Sequence, residues 1–321
     1  MVSGTNGLRY ARLGRTELVV SRLCFGVLTV GPLQADLPLD EGAEIIAYAL
    51  ARGINFLDTA EAYRTYPYIR RALELAAVRP VIATKSYAYT RQGMKESLER
   101  ARDEMGLKTV DIFLLHEQES ELTLAGHREA LEFLLEAKKK GWVRAVGIST
   151  HSVRGVIAGA LDEPVEIIHP IINLTGLGIM DGSREQMMAA IALARQKGRG
   201  LYAMKAFGGG NLGHQAFRAL AFVNSIPHID AIAVGMKSRA EVDLNLEWLE
   251  GRRNPVLEQV VGAQKRSLVI EGWCRGCGAC TEACRYQALT LREGRVEVAR
   301  ERCVLCGYCS AYCPDFCIKI V

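Results

Sequence analysis

The chain of 321 residues lacks any uncharged apolar stretch as long as about 18 residues, so it offers no candidate for a transmembrane helix. Its first residues, MVSGTNGLRY, contain no apolar segment of the kind found in signal peptides. The formal net charge of +4 is too small and too scattered to indicate binding to nucleic acid. We therefore predict a cytoplasmic protein whose partners include neither a membrane nor a nucleic acid.

A phosphate-binding glycine loop is also missing from the place where a doubly wound nucleotide-binding sheet needs it. The first strand candidate, SRLCFGVL from Ser21, is followed by TVGPLQADLPLD, which contains no G-x-G-x-x-G. The string GGGNLG from Gly208 comes far later in the chain. This absence argues against a doubly wound sheet.

Short apolar runs rich in β-branched residues do alternate with longer stretches of helical period. The eight strand candidates begin at Ser21, Ile54, Val81, Asp111, Ala145, Ile167, Gly200 and Ala231. Helical stretches follow them, and glycines are expected to end two of these helices at Gly106 and Gly141. Eight such units within about 250 residues predict an α/β fold, a (β/α)8 TIM barrel, which we place at residues 1–262.

The carboxyl-terminal tail holds eight cysteines in two identical frames, C-x2-C-x2-C-x3-C, and the second frame ends in Pro314. In such frames three thiolates bind one cubane and the fourth reaches across to the other. The pattern assigns one 4Fe-4S cluster to Cys274, Cys277, Cys280 and Cys313, and a second to Cys303, Cys306, Cys309 and Cys284. Zinc sites use isolated C-x2-C pairs, and disulfides suit small secreted domains, so both alternatives fit less well.

The tail resembles the bacterial two-cluster ferredoxins over about residues 264 to 321. The resemblance implies a small α+β ferredoxin-like domain, placed at 263–321, that carries electrons. Arg285 departs from it, because a proline usually follows the fourth cysteine of the first frame. Superposing the frames places Cys317 on Ala288, which indicates a small core residue rather than a ninth ligand. Eight thiolate ligands require a reducing compartment.

Four polar residues stand at or near the carboxyl ends of neighbouring strand candidates, where barrels keep their chemistry. These are Asp58, Tyr63, Lys85 and His116. Each alone is easily a helix cap, a half-buried ring, a surface charge or a core histidine. Together they gather an acid, a phenol, an ammonium and an imidazole, and buried charge is costly unless it is used.

The segments NFLDTAEAY, VIATKS and DIFLLHEQ resemble the catalytic segments of the aldo-keto reductases, with similarity across most of residues 8 to 262. The resemblance implies hydride transfer between a nicotinamide and a carbonyl or alcohol. Tyr63 would donate a proton, with its phenol pKa lowered by Lys85, and Asp58 would pair with Lys85. His116 would hydrogen-bond the carbonyl oxygen.

The resemblance also implies positions that bind NADP(H), favoured over NAD(H) because cations suit an adenosine 2′-phosphate. In the loop after the seventh strand candidate these are Lys205, Gly208, Gly209 and Gly210, and after the eighth they are Gly235, Lys237, Ser238, Arg239, Glu241 and Asn245. On the sixth strand candidate, Asn173 matches a family asparagine. His169 stands where a glutamine usually holds the carboxamide.

Two hypotheses for function remain open at this stage. The first is an NADP-dependent enzyme acting on a small carbonyl or alcohol, with a tail that exchanges electrons with a ferredoxin or flavoprotein. The second is an electron-transfer subunit whose barrel is a docking platform for a flavoprotein or radical enzyme. A hydride carries two electrons whereas each cluster passes one, and the sequence has no flavin signature. The presence of all four residues Asp58, Tyr63, Lys85 and His116, called the tetrad below, favours the enzyme.

Overall fold

The computed structural model of the protein describes residues 2–3 and 8–321. Eight parallel strands close into a barrel, in which each strand pairs with the next and the last pairs with the first. A small antiparallel sheet precedes the barrel and consists of β1 Val2–Ser3, β2 Arg9–Arg12 and β3 Val19–Ser21, of which β2 and β3 form a hairpin. The barrel strands are β4 Leu23–Gly26, β5 Phe56–Asp58, β6 Val81–Ser86, β7 Val110–Leu115, β8 Val143–Thr150, β9 Ile167–Pro170, β10 Gly200–Ala203 and β11 Ala231–Gly235. The predicted TIM barrel is confirmed, and the barrel strands β4 to β11 fall on the eight predicted runs.

Helices surround the barrel on its outer face. They are α1 Leu39–Ala51, α2 Tyr66–Leu75, α3 Arg91–Met105, α4 Glu121–Gly126, α5 Arg128–Lys139, α6 Val153–Leu161, α7 Arg184–Gln196, α8 Ala216–Ser225, α9 Arg239–Leu249 and α10 Pro255–Gly262. The Thr90 hydroxyl accepts a hydrogen bond from the amide of Gly93 at the start of α3. Gly106 ends α3 with a φ of 69°, which only glycine adopts without cost, as its position in the sequence predicts.

Two apolar cores hold the barrel together. The larger lies between the strands and the helices, whereas the smaller fills the interior of the barrel with side chains from alternating strand positions. Leu13, Leu18 and Val20 of the amino-terminal hairpin join the interior core and close the end of the barrel at which the strands begin. The carboxyl ends of the strands therefore form the open end at which a site can be built.

The tail consists of two small antiparallel sheets and two short helical turns. Their bounds are β12 Leu268–Ile270, α11 Ala279–Ala283, β13 Leu289–Arg292, β14 Arg295–Val298, a 3₁₀-helix at Tyr308–Tyr312 and β15 Ile318–Ile320. β12 pairs with β15, and β13 pairs with β14. Positive φ angles recur at matching positions of the two cysteine frames, 79° at Gly278 and 76° at Gly307. The tail is therefore a structural repeat, as its two frames predict.

The last strand of the tail lies across the loop that follows β10. The amide of Ile320 donates to the carbonyl of Gly209, and the side chain of Asn211 donates to the carbonyl of Ile318 at 2.9 Å. A Cβ atom on Gly210 would lie 1.8 Å from the carbonyl oxygen of Ile320, so only glycine permits this approach. Phe316 is buried in the large core of the barrel. The tail thus covers part of the open end of the barrel.

The boundary predicted between residues 262 and 263 falls in the connection from α10 to the tail, because α10 ends at Gly262 and β12 begins at Leu268. Contacts cross this connection, since Lys237 Nζ donates to the carbonyl of Lys265 at 3.0 Å. The boundary itself stays a prediction.

Candidate functional site

The predicted ion pair of the site is present. Asp58 ends β5, and Lys85 stands in the adjacent strand β6, so the two side chains meet at the carboxyl end of the barrel. Lys85 Nζ lies 2.9 and 2.8 Å from the two carboxylate oxygens of Asp58 and 2.6 Å from the carbonyl oxygen of Thr59. All three donors of the ammonium are satisfied, which allows its charge to be buried.

Tyr63 and His116 complete the predicted group of four. Tyr63 lies on a 3₁₀-helix, Glu61–Tyr63, and its ring centroid is 5.1 Å from Lys85 Nζ. His116 follows β7, and its ring centroid is 5.8 Å from that of Tyr63. The structure therefore brings the four side chains together at one end of the barrel, while their catalytic roles stay predictions.

The structure corrects the predicted direction of the Tyr63 pKa. Burial raises the pKa of the Tyr63 phenol well above its usual value, and the negative charge of Asp58 and Glu117 raises it further. These effects outweigh the attraction of the Lys85 ammonium, which Asp58 pairs at contact distance. Tyr63 therefore keeps its proton at neutral pH and is held in the donor form.

His116 is held neutral in the same environment. Burial lowers the pKa of His116 well below its usual value, and the positive charges of Lys85 and Lys205 lower it further. Its ring stacks on Tyr87 with centroids 4.2 Å apart, and its buried Nδ1 atom has no hydrogen-bond partner. A neutral imidazole with an unpartnered nitrogen in a cavity is available to hydrogen-bond a ligand.

Sequence reasoning missed Tyr202, whose side chain supports the ion pair from the opposite strand. The hydroxyl of Tyr202 donates to Asp58 Oδ1 at 2.9 Å, and its ring stacks on His169 with centroids 3.8 Å apart. Tyr202 points into the barrel from β10 and is fully buried. A hydroxyl at an inward strand position was the signal available in the sequence.

His169 lines the cavity, as expected for a carboxamide ligand, but its ring is already fixed. Its Nδ1 lies 2.6 Å from the carbonyl oxygen of Tyr202, which assigns the proton to Nδ1 and leaves Nε2 as the acceptor. Burial lowers the pKa of His169 to about 4. Asn173 does not line the cavity. Its side chain instead stabilises a turn, because it hydrogen-bonds the amide and the carbonyl of Leu177.

A cavity of about 1250 Å³ runs from the tetrad to the loop between β11 and α9. Its lining includes these predicted cofactor-binding residues: His169, Lys205, Gly209, Gly210, Gly235, Lys237, Glu241 and Asn245. The buried Oδ1 atom of Asn245 has no hydrogen-bond partner, so it is a ready acceptor for an amino group. The volume and this acceptor fit a dinucleotide.

Other predicted cofactor residues are engaged elsewhere. Ser238 caps α9 by accepting from the amide of Glu241, and it also accepts from the Gln264 side chain at 2.7 Å. Arg239 lies 3.3 Å from Glu44 and its guanidinium stacks on Tyr48, away from the cavity lining.

The glycine loop that is predicted to bind the cofactor lies against the tail. Gly208 lies outside the cavity lining, and the close backbone approach at Gly209 and Gly210 is to the tail strand β15. Their contact with a cofactor stays a prediction.

A second, smaller cavity lies inside the tail. Its lining includes Cys274, Cys277, Cys280 and Cys313, the four cysteines assigned to the first cluster. Burial, followed by the charges of Cys313, Cys274 and Cys277, raises the pKa of Cys280. The structure therefore brings the fourth cysteine of the second frame to the first set, as the pattern predicts.

The second set gathers in the same way around Cys309. Burial raises the pKa of the Cys309 thiol to about 12, and the neighbours that raise it further are Cys306, then Cys280 of the first set, then Cys284 and Cys303. Within residues 2–3 and 8–321, no three Cys, His, Asp or Glu side chains converge closely enough to bind a single metal ion. The two sets of four cysteines suit cubane clusters, because a cubane spreads its thiolates over four irons.

The repeat extends to hydrogen bonds onto sulfur. The amide of Ala288 lies 3.4 Å from Cys284 Sγ, and the amide of Cys317 lies 3.2 Å from Cys313 Sγ. Such bonds stabilise thiolate and tune a cluster potential. Cys317 is buried and lines the first cluster cavity, and its role as a core residue rather than a ligand stays a prediction.

Comparisons with known proteins agree with this geometry. The aldo/keto reductase family model matches residues 22–250, and the 4Fe-4S dicluster domain model matches residues 273–317. An aldo-keto reductase of Mycolicibacterium paratuberculosis is 27% identical over 151 residues, which are 43% of this chain and 52% of the relative. An uncharacterized oxidoreductase of Bacillus subtilis, YqkF, is 26% identical over 162 residues, 44% of this chain and 49% of the relative. The chain thus spans about half the length of these curated relatives.

Solved structures show the same barrel. A putative aldo-keto reductase from Pseudomonas aeruginosa superposes with a TM-score of 0.64 at 22% identity, covering 75% of this chain and 94% of that one. The holo form of an aldo-keto reductase from Bacillus halodurans gives 0.63 at 19% identity, covering 79% and 95%. No helix among the described residues is both long enough and apolar enough to cross a membrane. The chain belongs to the aldo/keto reductase family and carries a 4Fe-4S dicluster domain at its carboxyl-terminal end.

Proposed function

We propose that the protein is an NADP(H)-dependent oxidoreductase that interconverts a small carbonyl compound and an alcohol. One observation carries this proposal: Tyr63 and His116 line a large cavity directly above the buried pair of Lys85 and Asp58. A protonated phenol and a neutral imidazole then face the same space. That is the arrangement needed to receive a carbonyl oxygen and protonate it.

The residues of the chain act in a defined order. A bound nicotinamide would supply the hydride. His116, neutral because burial lowers its pKa, donates a hydrogen bond that orients the carbonyl oxygen. Tyr63 then gives its proton to the alkoxide, and Lys85 stabilises the phenolate that remains. Asp58 holds Lys85 in place, with the Tyr202 hydroxyl as its second partner.

Selectivity for the 2′-phosphate of NADP(H) is assigned to Lys237. Lys237 and the tail residue Arg266 both line the cavity, whereas Arg239 faces Glu44. Lys237→Met should weaken NADPH binding about 10-fold to 150-fold, the usual loss for a charge-assisted hydrogen bond, and leave NADH binding nearly unchanged. Arg239→Met is the matched control, and it should change NADPH binding less, as read by equilibrium fluorescence titration. Equal losses for both cofactors would contradict the assignment.

The tail is proposed to carry electrons between this site and a ferredoxin or flavoprotein. Asp315 lines both the barrel cavity and the first cluster cavity, and its carbonyl accepts from Trp273 Nε1 at 3.1 Å. The two centres are therefore adjacent. This same adjacency favours the second candidate function, an electron-transfer subunit whose barrel receives a partner enzyme.

One experiment separates the two functions. The anaerobic protein is titrated with NADPH while the cluster absorption is recorded, and NADPH oxidation is then measured with a panel of aldehydes, ketones and sugars. Turnover without bleaching of the clusters supports an independent reductase. Bleaching with turnover supports a reductase linked to its tail. Bleaching without turnover of any carbonyl compound would contradict the reductase proposal and support the electron-transfer subunit.

A further inference from the structure

Two lysines from different domains meet at the covered side of the cavity. Lys205 follows β10 of the barrel, and Lys319 stands in β15 of the tail. Their Nζ atoms lie 4.9 and 3.1 Å from the ring centroid of Phe316. Both side chains line the same cavity as Tyr63 and His116. The tail therefore contributes a lysine amine to the space in which the barrel places its tetrad.

Neither lysine forms an ion pair with a carboxylate. Among the described residues, no Asp or Glu oxygen lies within 4.0 Å of Lys205 or Lys319, although ion pairs of that length occur at many other lysines and arginines. Lys319 is only 5% exposed, and its ammonium donates to the carbonyl of Phe316. A buried ammonium with donors to spare is costly unless an anion arrives to pair with it.

The charged groups around the pair do not replace such an anion. Lys319 faces Lys205, Glu271, Cys317 and Cys313, and Lys205 also faces Glu117 and Lys85. Burial lowers the pKa of Lys319 to about 6 and that of Lys205 to about 8, against the raising effect of the glutamates. An anion bound between the two amines would raise both values and draw protons onto them.

We propose that Lys205 and Lys319 form an oxyanion subsite, which takes a phosphate or carboxylate group of a ligand bound in the cavity. The inference rests on the proposed function for the identity of the ligand, but the geometry of the site stands by itself. Two sources have the required chemistry: a phosphate of the cofactor, and a carboxylate or phosphate on the substrate. In either case the ferredoxin-like tail completes the binding site of the barrel.

The test uses the anaerobic holoprotein and three variants. Lys319→Met and Lys205→Met each remove the terminal amine and leave an unbranched side chain that is one atom shorter. Lys108→Met removes the same charge from an exposed loop before β7, at the opposite end of the barrel, and is the matched control. Iron content and cluster absorption confirm that the tail is assembled in every variant. Lys319→Arg keeps the charge and should retain most of the binding.

Binding is measured by calorimetry, so that it does not depend on turnover. Binding of NADPH tests whether the anion is a phosphate of the cofactor. The compounds 4-oxobutanoate and butanal differ by a carboxylate, so this pair tests whether the anion belongs to the substrate. Loss of one charged contact should weaken the relevant ligand about 10-fold or more and leave butanal unchanged. Complete absence of carbonyl reduction would contradict the proposed function without altering these binding results.

Each outcome decides the proposal. A loss for NADPH identifies the anion as a cofactor phosphate, and a loss for 4-oxobutanoate alone identifies it as a substrate carboxylate. If both lysine variants bind NADPH and 4-oxobutanoate within about twofold of wild type, as Lys108→Met should, the subsite does not exist. Equal weakening of 4-oxobutanoate and butanal, with NADPH unchanged, would show a structural effect and also overturn the proposal.

Discussion

The barrel and the tail hold their chemical groups in place by different means. The barrel has two extensive cores, and its tetrad is fixed by packed strands and by hydrogen bonds to the Asp58 carboxylate. The tail has a core of only six buried residues: Leu268, Cys280, Leu289, Val296, Cys309 and Ile318. Two of these are cluster cysteines. The barrel is therefore organised by its own side chains, whereas we expect the tail to need its clusters for stability.

The two halves of the tail differ as well, although their cysteine frames are identical. Gln287 and Phe316 occupy equivalent positions with φ angles of 49° and 50°, but Gln287 is exposed and Phe316 is buried in the barrel core. Leu291 is 48% exposed, while its counterpart Ile320 is 8% exposed. At these equivalent positions, the second half of the repeat is buried and the first half is exposed.

The largest expected effect comes from removing the clusters. Replacing Cys306 with alanine should abolish the second cluster and unfold most of the tail, because thiolate-metal bonds supply the stability that six buried residues cannot. Iron should fall from about eight atoms per chain, the content of two cubanes. The barrel should keep its far-ultraviolet circular dichroism.

Cys317→Ala is the matched control, since it removes a buried thiol of the tail that is not assigned to a cluster. It should keep both clusters. Loss of the barrel signal together with the tail in Cys306→Ala would show that the two regions fold as one unit.

A second variant affects the barrel and spares the tail. Tyr63→Phe keeps the ring but removes the proton donor, so turnover should fall by about two to four orders of magnitude, the usual contribution of a general acid. NADPH binding and iron content should not change. Tyr68→Phe, which removes a buried hydroxyl bonded to the carbonyl of Leu37, should keep its activity. Wild-type turnover in Tyr63→Phe would contradict the catalytic role.

The sequence predicted the parts of the molecule that local patterns encode. Period and composition place the eight barrel strands, and residues at strand ends place Asp58 and Lys85 together, because parallel neighbours end at the same edge. The repeated frame predicted that Cys313 lies with the cysteines of the first frame, and the structure places it there, while the cluster ligands themselves stay a prediction. These features follow from spacing alone.

The attachment of the tail was not predictable in this way. Gly210 and Ile320 meet although more than a hundred residues separate them, and neither position carries a local signal of that contact. The glycines of this loop were predicted to bind the cofactor, while the structure shows a strand of the tail in contact with them. The raised pKa of Tyr63 likewise depends on burial, which a sequence does not display.

A smaller effect tests the asymmetry between the halves of the tail. Phe316→Ala removes a ring from the barrel core and should destabilise the attachment of the tail by about 3 to 5 kcal/mol, as Phe→Ala substitutions in cores do. Gln287→Ala at the equivalent exposed position should change it by less than about 0.5 kcal/mol. Limited proteolysis of the holoprotein between residues 262 and 268 measures the attachment. Equal cleavage of both variants would contradict the asymmetry.

The smallest expected effect concerns the pH dependence of the barrel. Burial lowers the pKa of His169 to about 4, below the unfolded value of about 6.5, so the folded state excludes a proton that the unfolded state binds. The stabilisation is fully present above pH 6.5 and is lost as the pH falls toward 4. Between pH 7 and 5.5 this histidine should account for about 1 kcal/mol of the loss in unfolding free energy. His169→Gln removes the titration, so urea unfolding of this variant at the two pH values should show a loss smaller by that amount. His116 and His151, whose pKa values burial also lowers, remain in both proteins, so only their electrostatic coupling to His169, the last of the causes given for each, differs in the comparison. An unchanged pH dependence in His169→Gln would mean that the folded barrel admits the proton after all.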